Sequence, residues 1–259
     1  MRIPDSEWNR IKNQLEPASI ARAHAYAELK TSLNIPSPND LSDDAPVAAL
    51  SALKIIFFER RFDILDAAVA ERIARGEAPV GPVSQNDTHY RGRLLERVLN
   101  GNCTGAAGPD FAGFELKLVE TTSLHQLSQV MTVGAISPKT SPITTNTQYY
   151  DSSFYKKMKR CIIMTYTKSG MQLGFKPNHL FMFEADAPTW AAPLQADWES
   201  IASEYITTML SARSRRPSGY CSSDTSGKRR PNGLLGIRSD AVIFTAEMFE
   251  RASRYYPVP

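Results

Sequence analysis

Apolar residues recur along this chain with two different periods, and the change of period divides it. From Val47 to Arg75 the positions Leu50, Leu53, Ile56, Phe57, Leu65, Val69 and Ile73 keep the three-to-four-residue spacing of helices that bury one face. Ser6 to Leu33 reads as mostly helical with a break near Pro17, since proline inside a helix removes a backbone donor and crowds the preceding turn. Pro36-Ser-Pro-Asn-Asp-Leu-Ser-Asp-Asp-Ala-Pro46 is a loop, and Gly76 to Pro82 separates the helical part from the rest of the chain. Residues 1–82 are expected to form a helical segment and residues 83–259 a second unit. Such apolar helices ordinarily pack on a neighbouring core; a homodimer surface and a contact with nucleic acid are the other roles open to them.

Beyond that boundary the pattern shortens. Gly92 to Leu99 is one more helix, with Leu94, Leu95, Val98 and Leu99 turned inward. Phe114, Leu116 and Leu118 then alternate with Glu115, Lys117 and Val119, the period of a strand. Strands are predicted at 112–119, 161–166, 171–175, 179–184 and 235–244. Helices are predicted at Asp197–Leu210 and Thr245–Tyr255, each with an early acid that complements a helix N-terminus. The expected fold class is α/β, a mixed central sheet flanked by helices behind a helical N-terminal segment.

The strand carries chemistry on its polar side. Side-chain alternation puts Glu115 and Lys117 on one face, and Asp110 precedes them across Phe111-Ala112-Gly113-Phe114, where the glycine permits a tight connection. Mg²⁺ prefers oxygen ligands and keeps several waters, so Asp110, Glu115, a backbone carbonyl such as that of Leu116, and phosphate oxygens would suit it. Lys117 would then hold the attacking water or stabilise its hydroxide form, which points to phosphodiester hydrolysis. The plain alternative is an exposed strand whose Glu115 and Lys117 form a solvated pair. Glu96 falls at the edge of the apolar stripe of its helix. A helix end near Asn100-Gly101 and a short loop would bring it toward the carboxylates as a third acid; its ordinary role is a surface pair with a neighbouring arginine.

Arg91-Gly-Arg-Leu-Leu-Glu96, followed by Pro109-Asp-Phe-Ala-Gly-Phe-Glu-Leu-Lys-Leu-Val-Glu-Thr121, resembles the MutH and MvaI/BcnI group of restriction endonucleases. The short gap between Asp110 and Glu115 is more similar to MvaI and BcnI than to MutH. Ser153-Phe-Tyr-Lys-Lys-Met-Lys-Arg-Cys-Ile-Ile-Met164 and Ala196-Asp-Trp-Glu-Ser-Ile201 resemble a lysine-rich strand entry and an Asp-Trp-Glu helix of the same group. The likeness covers roughly residues 88 to 252; the N-terminal segment lies outside it, and the C-terminal recognition loop has little similarity. It implies a PD-(D/E)xK fold with Asp110, Glu115 and Lys117 as catalytic triad, Glu96 as the helix glutamate, Mg²⁺ as cofactor and double-stranded DNA as substrate. A type II restriction enzyme is the expected function. A mismatch-repair nickase of MutH type and a non-catalytic DNA-binding module are the alternatives.

The remaining composition changes this little. With 259 residues, 42% apolar and 22% charged, the chain is ordinary for a globular protein, and no apolar run approaches the roughly 20 residues of a membrane span. Cys103, Cys161 and Cys221 lack paired spacing, His24, His89, His125 and His179 lack zinc-site spacing, and the N-terminus has no signal-like apolar stretch, so a cytoplasmic location is expected. The net charge of +3 does not by itself announce a DNA partner, but its distribution does. Arg213, Arg215, Arg216, Lys228, Arg229 and Arg230 crowd a Ser/Gly/Pro-rich stretch in which Asp224 is the one acid. This reads as a basic loop, with Arg229 and Arg230 the candidates for guanine contacts or, more plainly, as a solvated linker. By the resemblance, Gly236-Ile237-Arg238 matches the final Arg-Ile strand after a base-contacting loop. Lys156, Lys157, Lys159 and Arg160 form a second cluster, suited to backbone phosphates or to a solvated helix end.

Overall fold

The computed structural model describes residues 17–76, 90–101, 109–123, 126–127, 131–136, 146–168, 175–188, 191–208, 221–224, 233–237 and 255–257. In the N-terminal part, α1 (Pro17–Ser32), α2 (Ala45–Leu53), a π-helical turn (Lys54–Glu59) and α3 (Ile64–Ala74) precede α4 (Tyr90–Val98). The sheet elements come after them as β1 (Glu115–Ser123), β2 (Gln126–Leu127), β3 (Met131–Ile136), β4 (Cys161–Lys168), β5 (Phe175–Phe183), β6 (Cys221–Asp224), β7 (Gly233–Ile237) and β8 (Tyr255–Pro257). Between β3 and β4 lie a 3₁₀ turn (Tyr149–Asp151) and the short α5 (Ser153–Met158), and α6 (Ala191–Thr208) succeeds β5.

The protein is mixed α/β. Its main sheet has the order β2-β1-β4-β5-β8, in which β1 and β4 run parallel and the other neighbours antiparallel. A second antiparallel sheet has the order β3-β7-β6. Sequence alternation explains how the main sheet is oriented. Leu116 of β1, Ile162, Met164 and Tyr166 of β4, and Leu180 and Met182 of β5 join one core cluster with Tyr26, Leu50, Leu53, Ile56, Phe57, Ile64, Leu94, Leu95, Val98 and Leu99 from the helices. The cluster takes every second residue of these strands, because strand side chains alternate between faces. It also draws on both sides of the expected 82/83 boundary, so the N-terminal helices pack directly on the sheet. Glu115 and Lys117 share the opposite parity, and their side chains leave on the other face.

The strand and helix limits differ from expectation where local bonds decide. The run from Val47 to Arg75 is broken at Arg60–Asp63, where Arg61 takes a positive φ of 53°. There Asp63 restarts the helix with a capping box: its Oδ1 accepts the Leu65 N–H at 3.0 Å, and its own N–H donates to Asp66 Oδ2 at 2.8 Å. The strand expected from residue 112 begins at Glu115, because reciprocal bonds between Phe111 and Phe114 close a turn first. Phe175–Phe183 is one strand that takes in the expected 179–184 segment as far as Phe183, the expected strand 171–175 lies outside the described residues except for Phe175, and α6 begins at Ala191 rather than Asp197. The expected helix 245–255 lies outside the described residues except for Tyr255, which instead begins β8. No described helix is long and apolar enough to cross a membrane.

Arg22 closes the break from α1, donating to Asp66 Oδ2 at 2.7 Å and to the Arg61 carbonyl at 2.9 Å. Asp66 is 10% exposed against 49% for Arg22, so the acid is the costlier partner to remove. Asp66→Ala should lower unfolding free energy by about 1–3 kcal/mol, and Arg22→Ala by less than about 1 kcal/mol. Equal losses in denaturant titrations would show that the cap contributes nothing beyond the ion pair.

Candidate active site

Asp110 and Glu115 are locked to one another through the main chain. The Asp110 N–H donates to Glu115 Oε2 at 3.0 Å, and the Leu116 N–H donates to Asp110 Oδ2 at 3.3 Å. Between them Ala112 and Gly113 form a tight reversal, closed by the Phe111 N–H on the Phe114 carbonyl at 3.1 Å. The rings of Phe111 and Phe114 stack with centroids 4.5 Å apart and enter the helix-side core. Apolar residues thus anchor the turn on one side while its two acids meet on the other.

Glu115 is fully buried, and an unpaired carboxylate there would be costly by several kcal/mol. Two ammoniums offset that cost. Lys117 Nζ lies 2.5 Å and Lys157 Nζ 3.2 Å from the same oxygen, Oε1. The Glu115 main chain is held as well, its N–H donating to the Arg160 carbonyl at 2.9 Å. Burial pushes the Glu115 carboxyl above its ordinary range, Lys117 and Lys157 pull it down, Asp110 adds to the rise, and the net direction is upward. Burial presses on Lys117 too, but Glu115 and Asp110 outweigh it and hold the ammonium above its ordinary value. Lys117 is therefore charged at neutral pH. Cys161 pairs with Glu115 in the β1–β4 ladder; its buried thiol is pushed upward chiefly by burial and next by Glu115, which keeps it a neutral packing group.

Lys157 belongs to this site. Expected among the phosphate contacts, it instead reaches Glu115 from α5, while Lys156 and Lys159 are exposed. Helical spacing carries the signal: Phe154 and Met158 are buried at i and i+4, and Lys157 flanks that inward face. Arg160 lies just beyond and donates to Asp43 Oδ1 at 2.7 Å. Arg213, Arg215, Arg216, Lys228, Arg229, Arg230 and Arg238 lie outside the described residues.

Glu96 stands in the last turn of α4. Its carbonyl accepts the Gly101 N–H at 2.8 Å, and the Asn100 N–H donates to the Arg97 carbonyl at 3.0 Å, with Asn100 at φ 61°. This is a Schellman ending, at the Asn100-Gly101 position expected from the residues alone. The Arg97 carbonyl also accepts Lys30 Nζ of α1 at 2.8 Å. A Cβ on Gly101 would lie 2.9 Å from the Glu96 carbonyl oxygen and 3.0 Å from the Phe111 ring. The end of α4 therefore rests against the residue next to Asp110. Among the described residues, no group of three or more His, Cys, Asp and Glu side chains is placed to hold a metal ion, so Glu96 does not complete a three-acid cluster with Asp110 and Glu115. The two acids nonetheless suit Mg²⁺ in donor type. Oε2 of Glu115 accepts one N–H and retains a second acceptor position, and Mg²⁺ commonly takes one or two carboxylates with waters and phosphate.

Gly101→Ala should destabilise the protein by about 1–3 kcal/mol, as overpacking does, which a thermal unfolding scan would register; an unchanged midpoint would mean that the α4 end and the Phe111 ring are not in firm contact. For Glu115 the folded state binds the extra proton, so its contribution to stability is greatest at acid pH and is lost as pH rises from the ordinary carboxyl value of 4.5 through the raised folded one. Glu115→Gln should accordingly gain on the wild type as pH increases through that window, whereas a constant difference between the two would argue that the carboxyl titrates normally. No protein-family model matches the chain, and no curated protein matches it in sequence.

Proposed function

We propose that this protein is a Mg²⁺-dependent endodeoxyribonuclease with a PD-(D/E)xK core, a type II restriction enzyme of the MutH and MvaI/BcnI kind that cuts a short specific site in double-stranded DNA. One observation carries the proposal: Asp110, Glu115 and Lys117 come together at the start of β1, with the two acids tied through main-chain N–H groups and the Lys117 ammonium paired with Glu115. The mixed sheet flanked by helices supports the fold assignment, and the exposed Lys156 and Lys159, which flank Lys157 in sequence, support a polyanionic substrate.

Asp110, Glu115 and the Leu116 carbonyl would hold the metal. When bound, Mg²⁺ supplies Lewis-acid polarisation of the phosphoryl oxygen and acidifies a water. The chain's own groups do the remainder. Lys117, kept charged by Glu115, stabilises the hydroxide form of the attacking water and the charge that builds on the phosphorane oxygens. Lys157 shares the charge of Glu115, so Lys117 can turn toward the phosphate without leaving that carboxylate uncompensated. Glu96, at the end of the neighbouring helix, is positioned through Gly101 and Phe111 to bear on the same turn. Lys156, Lys159 and Arg160 supply phosphate contacts at the rim, and Arg229 and Arg230 read bases.

Incubation of unmethylated phage DNA with and without Mg²⁺ tests this directly. Discrete fragments should appear in the presence of Mg²⁺. Lys117→Ala and Asp110→Ala should lower the cleavage rate by at least about 10²–10³-fold while duplex binding stays nearly intact, because these groups act on the metal and the transition state. Undigested DNA under every condition, or parallel loss of binding and cleavage in both variants, would overturn the proposal.

A further inference from the structure

Arg160 is the one cation of its cluster whose main chain is part of the site. Its carbonyl holds the Glu115 N–H at 2.9 Å, and the next residue, Cys161, faces Glu115 in the ladder. The guanidinium therefore stays within one side chain's reach of the two acids. It is held there by Asp43, from the loop that joins α1 to α2. That loop is seated on the site: the Pro38 carbonyl accepts the Ala112 N–H at 2.8 Å, and the Asp40 carbonyl oxygen lies 3.4 Å from where a Gly113 Cβ would stand. Asp40 spends its own carboxylate on the Ser42 N–H at 2.8 Å, which leaves Asp43 as the acid turned to Arg160.

The pair is unequal. Asp43 is 88% exposed and Arg160 29%, so breaking it returns Asp43 to water and strands no buried charge. Pairs of this exposure shift an equilibrium by less than about fivefold. A phosphodiester offers the guanidinium fork the same two-oxygen geometry as a carboxylate and would, in addition, meet the exposed ammoniums of Lys156 and Lys159. Exchange of one anion for the other is then favourable.

We propose that Arg160 is a backbone-phosphate receptor at the rim of the site and that Asp43 is its stand-in ligand in the free protein, exchanged for a phosphate when duplex DNA docks. The inference rests on the nuclease reading and extends it to residues of the N-terminal segment. Asp43 makes weak, single-phosphate encounters less favourable, because each must first displace it, and it leaves Arg160 extended and oriented for a duplex that brings several phosphates together.

Fluorescence anisotropy with a labelled mixed-sequence DNA duplex, in Ca²⁺ so that binding is read without cleavage, decides the matter. Asp43→Asn should tighten binding by about 2–5-fold. Arg160→Ala should weaken it and reduce the slope of log affinity against log salt by about one. The double variant should bind as Arg160→Ala alone, because Asp43 acts through Arg160; Arg160→Lys, which keeps the stem and loses the fork, replaces the alanine in this cycle if that variant misfolds. Unchanged affinity in Asp43→Asn, or the same gain with Arg160 absent, overturns the exchange and leaves only general repulsion. Wild-type protein that fails to bind duplex at all would remove the nuclease reading and this inference with it, whereas wild-type cleavage with indifferent Asp43 variants would remove the inference alone.

Discussion

A carboxylate with no access to water is the constraint around which this protein is arranged. Glu115 is completely enclosed, and such a group persists only where donors surround it. Its three donors come from three stretches of chain, the Asp110 N–H from the preceding turn, the Lys117 ammonium from β1 itself and the Lys157 ammonium from α5, while the Arg160 carbonyl at the entry to β4 accepts the Glu115 main-chain N–H. Each support has a further anchor. The turn is pinned by the stacked Phe111 and Phe114 rings, and α5 by buried Phe154 and Met158. The turn is thus anchored by apolar packing on its far side, and α5 by buried residues outside the helix-side core.

That far side belongs to the N-terminal helices. Their apolar residues and the alternate residues of β1, β4 and β5 make one core, while Cys161, Ile163, Phe181 and Phe183 of β4 and β5 are buried outside it. The Arg97 carbonyl, which takes both Lys30 and the Asn100 N–H, and the close seat of Gly101 on Phe111 pass this support from α1 through α4 to the Asp110 turn.

Much of this is legible in the sequence, for identifiable reasons. Strand alternation puts Glu115 and Lys117 on a common face, and Asn100-Gly101 marks the end of α4, because both depend on local geometry alone. The break at Arg60–Asp63 escapes a reading by periodicity although Asp63 and Asp66 have capping-box spacing; the apolar residues on either side keep a helical interval and hide it. Charge alone assigns Lys157 to a basic group facing phosphates, whereas the burial of Phe154 and Met158 turns it inward. Asp43 leaves no local trace at all, since its partner lies 117 positions away and only the packed structure brings the loop to Arg160. Glu96 is read from the sequence as approaching the carboxylates, but it does not complete a three-acid cluster with them among the described residues, because a tertiary contact, Gly101 against Phe111, sets where the end of its helix lies.

The parallel register of β1 with β4 has a temporal meaning. Lys157 is 42 residues beyond Glu115, and the Arg160 carbonyl that holds the Glu115 N–H is further still. A growing chain therefore displays its whole Asp-Glu-Lys string well before the groups that make it a site have been synthesised. Until β4 docks, Glu115 is a hydrated acid with an unperturbed affinity for protons and Asp110 has no fixed distance from it. The burial and pairing of Glu115 are conferred by a strand that arrives later, so a nascent or truncated chain carries the letters of the candidate site without its geometry.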